Sequence, residues 1–187
     1  MMNDLETVGN AQISTSVKKY GTGSMYFDGT GDWLYMPYTP NLAFGVGDFT
    51  IECWYNSSGS GTYSGPFNHA SASATNAGQF RCWTRYNSLN QIGFTYSTGA
   101  ANWTDIVIST NVNDSSWHHL AWSRSGGTLR IFVDGTQVGT NQTVTQSLGN
   151  SSYPFYVAQN AFDNAQMIGY IDDLRITKGY ARYTTTF

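Results

Sequence analysis

Hydrophobic and polar residues alternate with a period of two along most of the chain, and no segment shows the 3.6-residue period of an amphipathic helix. Clusters of Gly, Asn, Asp and Ser separate the alternating runs, as turns separate short strands. The pattern therefore predicts an all-β sandwich or jelly roll. The predicted strands are Ala11–Thr15, Ser24–Phe27, Trp33–Pro37, Phe49–Asn56, Gln79–Arg85, Gln91–Ser97, Thr104–Ser109, Trp117–Ser123, Leu129–Val133, Phe155–Gln159 and Met167–Thr177.

Turn chemistry marks one hairpin most clearly. Leu129–Val133 alternates, the pair Asp134-Gly135 follows, and Thr136–Val138 alternates again. An Asp-Gly pair supplies the positive-φ residues that a tight primed turn needs.

Two segments lack regular alternation and are predicted to be loops, Ser57–Gly78 and Thr140–Tyr153. Long ordered loops often carry function.

No linker, composition break or tandem repeat divides the 187 residues. We therefore expect one domain over residues 1–187, with residues 1–8 flexible. The first residues include neither the basic nor the apolar region of a signal peptide, so we expect no secretory signal in this chain. We also expect the chain to be part of a larger protein.

The composition limits the classes of binding partner that we expect. Only 11% of the residues are charged while 16% are aromatic, so the surface consists mostly of uncharged polar groups. Such a surface suits a virion or an extracellular surface, and contact with sugars. The net charge is −3 and the basic residues are scattered, which disfavours nucleic acid as a partner. No run approaches the ~20 apolar residues of a membrane span, so we expect no membrane insertion.

Several sequence blocks occur in the order found in laminin-G-like jelly rolls, which belong to the concanavalin-A-like lectin/glucanase superfamily. The blocks are Ser24–Gly29, Asp48–Trp54, Trp117–Ala121, Leu129–Gly135 and Gly169–Ile176. The end of the chain, Ile176–Thr184, resembles a subgroup common in phage and bacterial surface proteins. The resemblance implies a two-sheet antiparallel jelly-roll β-sandwich with a concave face. It does not imply one function, because members include lectins, adhesion modules and glycosidases.

Catalytic carboxylates are scarce in this sequence. Glycoside hydrolysis uses a pair of carboxylates, which glucanases resembling this chain place on one strand as Glu-x-Asp-x-x-Glu. That motif is absent, and the chain has only two glutamates, Glu6 and Glu52. We therefore predict that the protein is not an enzyme, and glycoside hydrolysis is kept only as a minor alternative.

A candidate ligand-binding face follows from strand alternation. Phe49, Ile51 and Cys53 should point into the core, and Phe80 and Cys82 should do the same from Gln79–Arg85. If those two strands pair, the opposite face of the sheet would carry aromatic rings and charges suited to stacking with sugars. The residues of that predicted face are Glu52, Trp54, Arg81, Trp83 and Arg85. The alternative is that the loop Ser57–Gly78 covers this face and that Glu52 pairs with Arg81.

The cysteines and the adjacent histidines have structural interpretations. Cys53 and Cys82 lie in mid-strand and are predicted to be buried thiols. A disulfide would require their strands to be neighbours. His118 and His119 should face opposite sides of one strand, so they should not bind one ion together.

The resemblance also implies a calcium ion as the only cofactor. Related domains often hold a structural calcium with an aspartate of the last strand and groups from early segments, which maps to Asp172 and Asp28. Calcium takes six to eight oxygen ligands, and the turn at Asp28 offers carboxylates beside glycine carbonyls. The alternative is that these aspartates cap their own turns.

These observations lead to one functional hypothesis and its rivals. The leading hypothesis is a non-catalytic jelly-roll module of a phage virion or cell-surface protein that binds glycans or a host surface. The main rival is a purely structural module that packs against neighbouring virion or surface subunits and has no ligand.

Overall fold

The computed structural model describes residues 5–59, 61–70, 78–99, 102–149, 152–161 and 164–187, which form short strands and one 3₁₀ turn. No helix in this described part of the chain is long and apolar enough to cross a bilayer. The strands are β1 (Glu6–Val8), β2 (Gln12–Ser14), β3 (Ser24–Asp28), β4 (Trp33–Met36), β5 (Phe49–Asn56), β6 (Phe67–His69), β7 (Phe80–Tyr86), β8 (Leu89–Gly99), β9 (Asn102–Ile108), β10 (His118–Ser125), β11 (Thr128–Val133), β12 (Thr136–Thr143), β13 (Phe155–Val157), β14 (Gln159–Asn160), β15 (Ala165–Gln166) and β16 (Ile168–Lys178).

Two seven-stranded antiparallel sheets make up the sandwich. The front sheet has the strand order β1-β4-β13-β6-β7-β8-β9, and the back sheet has the order β12-β11-β10-β5-β16-β3-β2. Strands β14 and β15 form a separate small hairpin. This architecture confirms the two-sheet antiparallel jelly-roll β-sandwich expected from the sequence.

The core lies between the sheets and follows the predicted alternation. On β5 the side chains of Phe49, Ile51 and Cys53 are buried, as expected. Phe80 and Cys82 of β7 bury against them from the front sheet. Because both sheets bury one face and side chains alternate, the polar residues between these positions must lie on the two outer faces.

The predicted Asp134-Gly135 hairpin is confirmed as the connection between β11 and β12. Asp134 has φ of 50° and Gly135 has φ of 78°, which are the left-handed values that a type I′ turn requires. The return strand β12 runs to Thr143, so the first part of the segment 140–153 is strand and not loop.

Three short strands were not predicted. Strand β1 pairs with β4, so residues 6–8 of the segment expected to be flexible form a sheet edge; residues 1–4 lie outside the described part of the chain. Strand β6 lies inside the predicted loop 57–78 and pairs with β7 and β13. Strand β15 pairs with β14 in the small hairpin. Strands of two or three residues have no readable period and exist because a neighbour supplies hydrogen-bond partners.

The pairing of β5 with β7, which was the condition for the predicted ligand-binding face, does not occur. Strand β5 lies between β10 and β16 in the back sheet, whereas β7 lies between β6 and β8 in the front sheet. Cys53 and Cys82 therefore reach the core from opposite sheets, and both are free and buried, as predicted for inert thiols. Burial raises the pKa of each thiol, so neither is a reactive thiolate.

Candidate functional site

A cavity of about 140 Å³ opens on the outer face of the front sheet. Residues of strands β6 to β9 line it, together with strand β14 and the segment 63–65. The residues that line it are Tyr63, Ser64, Gly65, Phe67, Asn68, Arg81, Cys82, Trp83, Tyr86, Thr95, Trp103, Asp105, Gln159 and Asn160. Of the predicted ligand-binding residues, Arg81 and Trp83 are found here.

A glycine in the neighbouring strand sets the position of Trp83. Trp83 lies opposite Gly93 of β8, and a Cβ atom at Gly93 would lie 2.3 Å from the indole Cζ2 of Trp83. Only a residue without a side chain leaves room for the ring to lie across the sheet. The indole Nε1 then donates a hydrogen bond of 2.9 Å to Thr95 Oγ1.

A chain of hydrogen bonds continues from Trp83 to the carboxylate of the cavity. Thr95 Oγ1 donates to Asp105 Oδ1 at 2.5 Å, and the Tyr86 hydroxyl donates to Asp105 Oδ2 at 2.8 Å. Burial and the adjacent Asp105 carboxylate raise the pKa of Tyr86 to about 12, so its hydroxyl stays a donor. The Tyr86 and Trp83 rings lie 4.7 Å apart, which fixes Asp105 beside an aromatic surface.

Two buried polar atoms at the cavity have no hydrogen-bond partner within the described part of the chain. They are Asn68 Oδ1 and Ser64 Oγ, on residues that are 3% and 1% exposed. The Asn68 amide is oriented by its other end, because Nδ2 donates to Asn160 Oδ1 at 3.2 Å. Leaving a buried polar atom unpaired costs about 1–3 kcal/mol. A hydrogen bond with a ligand hydroxyl group would remove that cost at either atom.

The cationic group of the cavity is Arg81. Its guanidinium carbon lies 4.3 Å from the ring centroid of Trp103 on β9, which is a cation–π contact. The cavity therefore combines aromatic rings with one guanidinium and one carboxylate among its described lining residues. Trp103 and Asp105 were not among the predicted site residues, although Asp105 lies on the predicted strand Thr104–Ser109 and Trp103 precedes it.

Arg85 does not line the cavity. Its Nε donates to Gly61 O at 2.7 Å and its Nη1 donates to Asn90 Oδ1 at 2.6 Å. A register shift between Trp83 and Arg85 in the β7–β8 pairing accompanies this change of direction. Arg85 thus holds the segment that leads to Tyr63, and a direct contact with a ligand remains only a prediction.

Glu52 and Trp54 lie on the outer face of the back sheet, so the structure does not bring them together with Arg81, Trp83 and Arg85. The alternative in which Glu52 pairs with Arg81 is wrong for the same reason. Alternation correctly placed Glu52 and Trp54 away from the core, but it carries no information about which sheet a strand joins. Their role in binding a ligand stays a prediction.

Glu52 is instead held by the end of the chain. Arg182 Nε lies 2.7 Å from Glu52 Oε1, and the Tyr183 hydroxyl donates to Oε2 at 2.6 Å. His119 Nε2 lies 3.2 Å from Oε2. Burial raises the pKa of the Glu52 carboxyl, but the hydrogen bonds from His119 and Tyr183 and the charge of Arg182 outweigh it, so the pKa lies below the ordinary 4.5.

Residues 179–187, here called the C-terminal strap, cross the outer face of the back sheet. The amide of Gly179 donates to Asp48 O at 2.7 Å, and the amide of Phe187 donates to Gly135 O at 2.9 Å. Between these ends the Tyr183 and Phe187 rings stack at 3.6 Å. The strap buries Glu52. The sequence pattern did not predict that this segment would cross the sheet.

Trp54 is also occupied by neighbours. Lys19 Nζ lies 4.0 Å from the Trp54 ring centroid, and the Tyr20 ring packs edge-on at 5.5 Å. A shallow depression beside Trp54 is bordered by the strap residues Tyr183 and Phe187. Trp54 therefore packs against side chains from other parts of its own chain, whereas Trp83, which is 5% exposed, lines the front-sheet cavity.

The two histidines do not share a site, as predicted. His118 Nδ1 lies 2.7 Å from Asp134 Oδ2 and its Nε2 lies 3.1 Å from Asp114 Oδ1, whereas His119 faces Glu52. Burial lowers the pKa of His118, but the hydrogen bonds with Asp134 and Asp114 raise it by more. The pKa of His118 therefore lies above its ordinary value.

Asp28 and Asp172 do not form a joint calcium site. In the β3–β16 pairing Asp28 lies opposite Ile168, so Asp172 is four residues further along the strand, roughly 13 Å away at ~3.3 Å per residue. Both oxygens of each carboxylate already face N–H donors. For Asp28 these belong to Thr30 and Asn10, and for Asp172 they belong to Lys19, Tyr20 and Asp173.

Carboxylates surrounded by N–H donors do not fit a cation that requires six to eight oxygens. Among the described residues, no group of three or more His, Cys, Asp or Glu side chains could hold a metal ion. Calcium binding therefore stays a prediction of the resemblance, without support from the geometry at these two residues.

Comparison with known proteins agrees with the architecture. The family model for the concanavalin A-like lectin/glucanases superfamily, of the laminin-G type, matches residues 28–181. No curated protein sequence shows significant similarity to the chain.

Several solved structures share the fold at low sequence identity. Domain 4 of the extracellular GH43 arabinanase AbnA from Geobacillus stearothermophilus, solved with arabinotriose, superposes with a TM-score of 0.74 at 18% identity, covering 92% of this chain and 77% of that one. Mouse laminin alpha1 domains LG4-5 give 0.57 at 17%, covering 94% and 45%. The carbohydrate-binding module CBM66 from Bacillus subtilis gives 0.53 at 15%, covering 95% and 97%. At these identities the likeness establishes the fold alone.

Proposed function

The chain belongs to the concanavalin A-like lectin/glucanase superfamily, and we propose that it is a non-catalytic glycan-binding module whose site is the front-sheet cavity. One observation carries the proposal. Aromatic rings lie beside two buried polar atoms, Asn68 Oδ1 and Ser64 Oγ, that have no partner among the described residues. A sugar presents an apolar C–H face and a rim of hydroxyl groups, which matches such a lining.

The charges of the cavity support recognition of hydroxyl groups. Asp105 accepts hydrogen bonds from Thr95 and Tyr86 through different oxygens, and each oxygen keeps a free lone pair for a ligand hydroxyl. Arg81 supplies N–H donors and is oriented by its contact with Trp103. A fixed acceptor, a fixed donor and a stacking surface are sufficient to orient one sugar ring.

The same lining favours binding over hydrolysis. A glycosidase holds two carboxyl groups about 5–5.5 Å apart for retention or about 6.5–9.5 Å apart for inversion. Asp105 is the one carboxylate among the described lining residues, and Glu52 lies on the other sheet. The superposed arabinanase domain and CBM66 module agree with a binding role, since one was solved with arabinotriose and the other is a carbohydrate-binding module.

We place the module on a virion or cell surface, on the basis of its uncharged polar composition and its resemblance to phage and bacterial surface proteins. The genes that flank the parent gene test this placement. Capsid or tail genes beside it would support the phage context, and a set of intracellular metabolic genes would contradict it.

The binding proposal is tested with a polysaccharide panel by affinity electrophoresis, followed by calorimetry on any hit. We expect Trp103→Ala to weaken binding about tenfold or more, which corresponds to about 1.4 kcal/mol. Trp54→Ala is the matched control, because it removes another half-buried tryptophan on the opposite sheet.

The control should bind like the unmodified protein. Equal loss in both variants would point to unfolding and not to the cavity. A protein that binds no polysaccharide on the panel would overturn the proposal in favour of an assembly module that docks on neighbouring subunits.

A further inference from the structure

A second depression adjoins the front-sheet cavity and shares one side chain with it. This trough has a volume of about 430 Å³, against about 140 Å³ for the cavity. Tyr63 borders both. The residues that line the trough are Gly29, Gly61, Thr62, Tyr63, Asn164, Ala165 and Gln166.

The two spaces differ in chemistry. The cavity carries several aromatic rings, whereas Tyr63 is the one ring among the described residues that line the trough. Two of the other trough side chains are amides, Asn164 and Gln166. These amides continue the polar wall of the cavity, because Gln166 Nε2 donates to Gln159 Oε1 at 2.9 Å and to Asn164 Oδ1 at 3.3 Å. A line of hydrogen-bonding amides thus runs from one space to the next.

Tyr63 is held firmly at the junction. Its ring packs edge-on against Tyr86 at 5.1 Å, and its hydroxyl donates to Asn87 Oδ1. Arg85 braces the preceding residues through Gly61 O, and the amide of Ser88 donates to Thr62 O at 2.9 Å. A ring fixed in this way can support a ligand that passes from the cavity into the trough.

We propose that the site recognises a neutral oligosaccharide from its end, with the terminal residue in the cavity and the next residues over Tyr63 in the trough. This inference rests on the proposed function. The cavity is well below the ~300 Å³ of sites for larger ligands, so it accommodates one sugar ring, and the trough is the adjoining space, bordered by the same Tyr63, for further residues.

The charges argue for a neutral chain. The trough has no ionisable group other than the Tyr63 phenol among its described lining residues, and the cavity has Arg81 and Asp105 with opposite charges. A carboxylate on every sugar residue would place unpaired charges in the trough. An uncharged chain would instead exchange hydrogen bonds with Asn164 and Gln166.

The experiment measures calorimetric affinity for sugars of one to four residues, using arabinose, xylose, glucose and mannose series and a galacturonic acid series. We expect at least a tenfold rise in affinity from the monosaccharide to the trisaccharide in one neutral series. Ala165→Phe fills the trough away from the cavity and should remove that rise while changing monosaccharide affinity less than twofold. Tyr63→Ala should also remove that rise, whereas Tyr63→Phe, which keeps the ring, should retain it.

The outcomes separate this inference from the proposed function. If a monosaccharide binds as tightly as its trisaccharide, or if Ala165→Phe leaves trisaccharide binding intact, the end-on inference is wrong while glycan binding stands. If the galacturonic acid series binds most tightly, the neutral ligand is wrong. If no series binds while the chain is folded, the proposed function itself fails.

Discussion

The outer faces of the two sheets carry the same kinds of side chains, which differ in their exposure and in their hydrogen-bond partners. Each has a tryptophan, a carboxylate and an arginine: Trp83, Asp105 and Arg81 on the front sheet, and Trp54 and Glu52 on the back sheet with Arg182 from the strap. On the front sheet the carboxylate is exposed and two nearby polar atoms lack partners in the described chain. On the back sheet the side chain of Glu52 is only 5% exposed.

The difference lies in what covers each face. The C-terminal strap brings Arg182 and Tyr183 to Glu52 and stacks Tyr183 on Phe187, so the back face is closed by the protein's own chain. The front face has its polar groups aligned by neighbours in the same sheet and remains open at the cavity. Similar residue types therefore form a covered network on one face and line a cavity on the other.

The largest expected effect comes from removing the charge of the back face. Glu52→Leu leaves His119, Tyr183 and Arg182 without their acceptor and should reduce the free energy of unfolding by about 3 kcal/mol. Urea denaturation at pH 7 measures this. Asp105→Leu is the matched front-sheet variant and should cost less than about 1 kcal/mol because Asp105 is exposed. If Asp105→Leu proved the more destabilising change, the contrast between the faces would be wrong.

A smaller effect is expected when one contact of the strap is removed. Tyr183→Phe deletes the hydroxyl that donates to Glu52 and keeps the ring stacked on Phe187, so it should cost about 1–2 kcal/mol. Tyr180→Phe is the control, because Tyr180 is 65% exposed and belongs to the same strap. Equal denaturation midpoints for the two variants would mean that the strap is not held through Glu52.

The pH dependence of stability should identify the same carboxylate. The pKa of Glu52 is lower in the folded chain than its ordinary 4.5, so the unfolded chain binds the proton more readily. Its stabilising contribution is present above pH 4.5 and is lost as the pH falls through the folded-state pKa. Thermal denaturation from pH 7 to pH 3 should show a steeper decline for the unmodified protein than for Glu52→Gln. Parallel curves would exclude Glu52 as the acid-sensitive group.

The smallest expected effect is that of a chelator. Asp28 and Asp172 already accept hydrogen bonds from backbone or side-chain N–H groups, so EDTA should shift the melting temperature by less than about 1 °C, well below the ~4 °C that a change of 1 kcal/mol can produce. A shift of several degrees, reversed by added calcium, would show that an ion site exists and would restore the prediction drawn from the resemblance.

The local features of this fold were predictable from the sequence. Alternation placed Phe49, Ile51 and Cys53 in the core, and the Asp134-Gly135 pair located the hairpin at its turn. Both depend on chemistry within a few residues. The same reasoning found Trp83 and Arg81 as outward-facing residues, which are two parts of the candidate site.

The partners of the strands were not predictable in the same way. Any strand offers a similar ladder of backbone N–H and C=O groups, so alternation cannot distinguish β10 and β16 from β7 as neighbours of β5. For this reason Glu52 and Trp54 were expected beside Trp83 and were found on the opposite sheet.

The sequence by itself therefore determined the all-β class, the turns and the side of each strand that faces the core, because these follow from side-chain geometry over short spans. Only the tertiary structure decided which outer face stays open. That outcome depends on contacts across long stretches of chain, such as Tyr183 with Glu52 and Trp83 with Gly93 and Thr95. The two tryptophans that alternation treated alike thus have different surroundings, with Trp54 beneath Lys19 and Trp83 at the cavity.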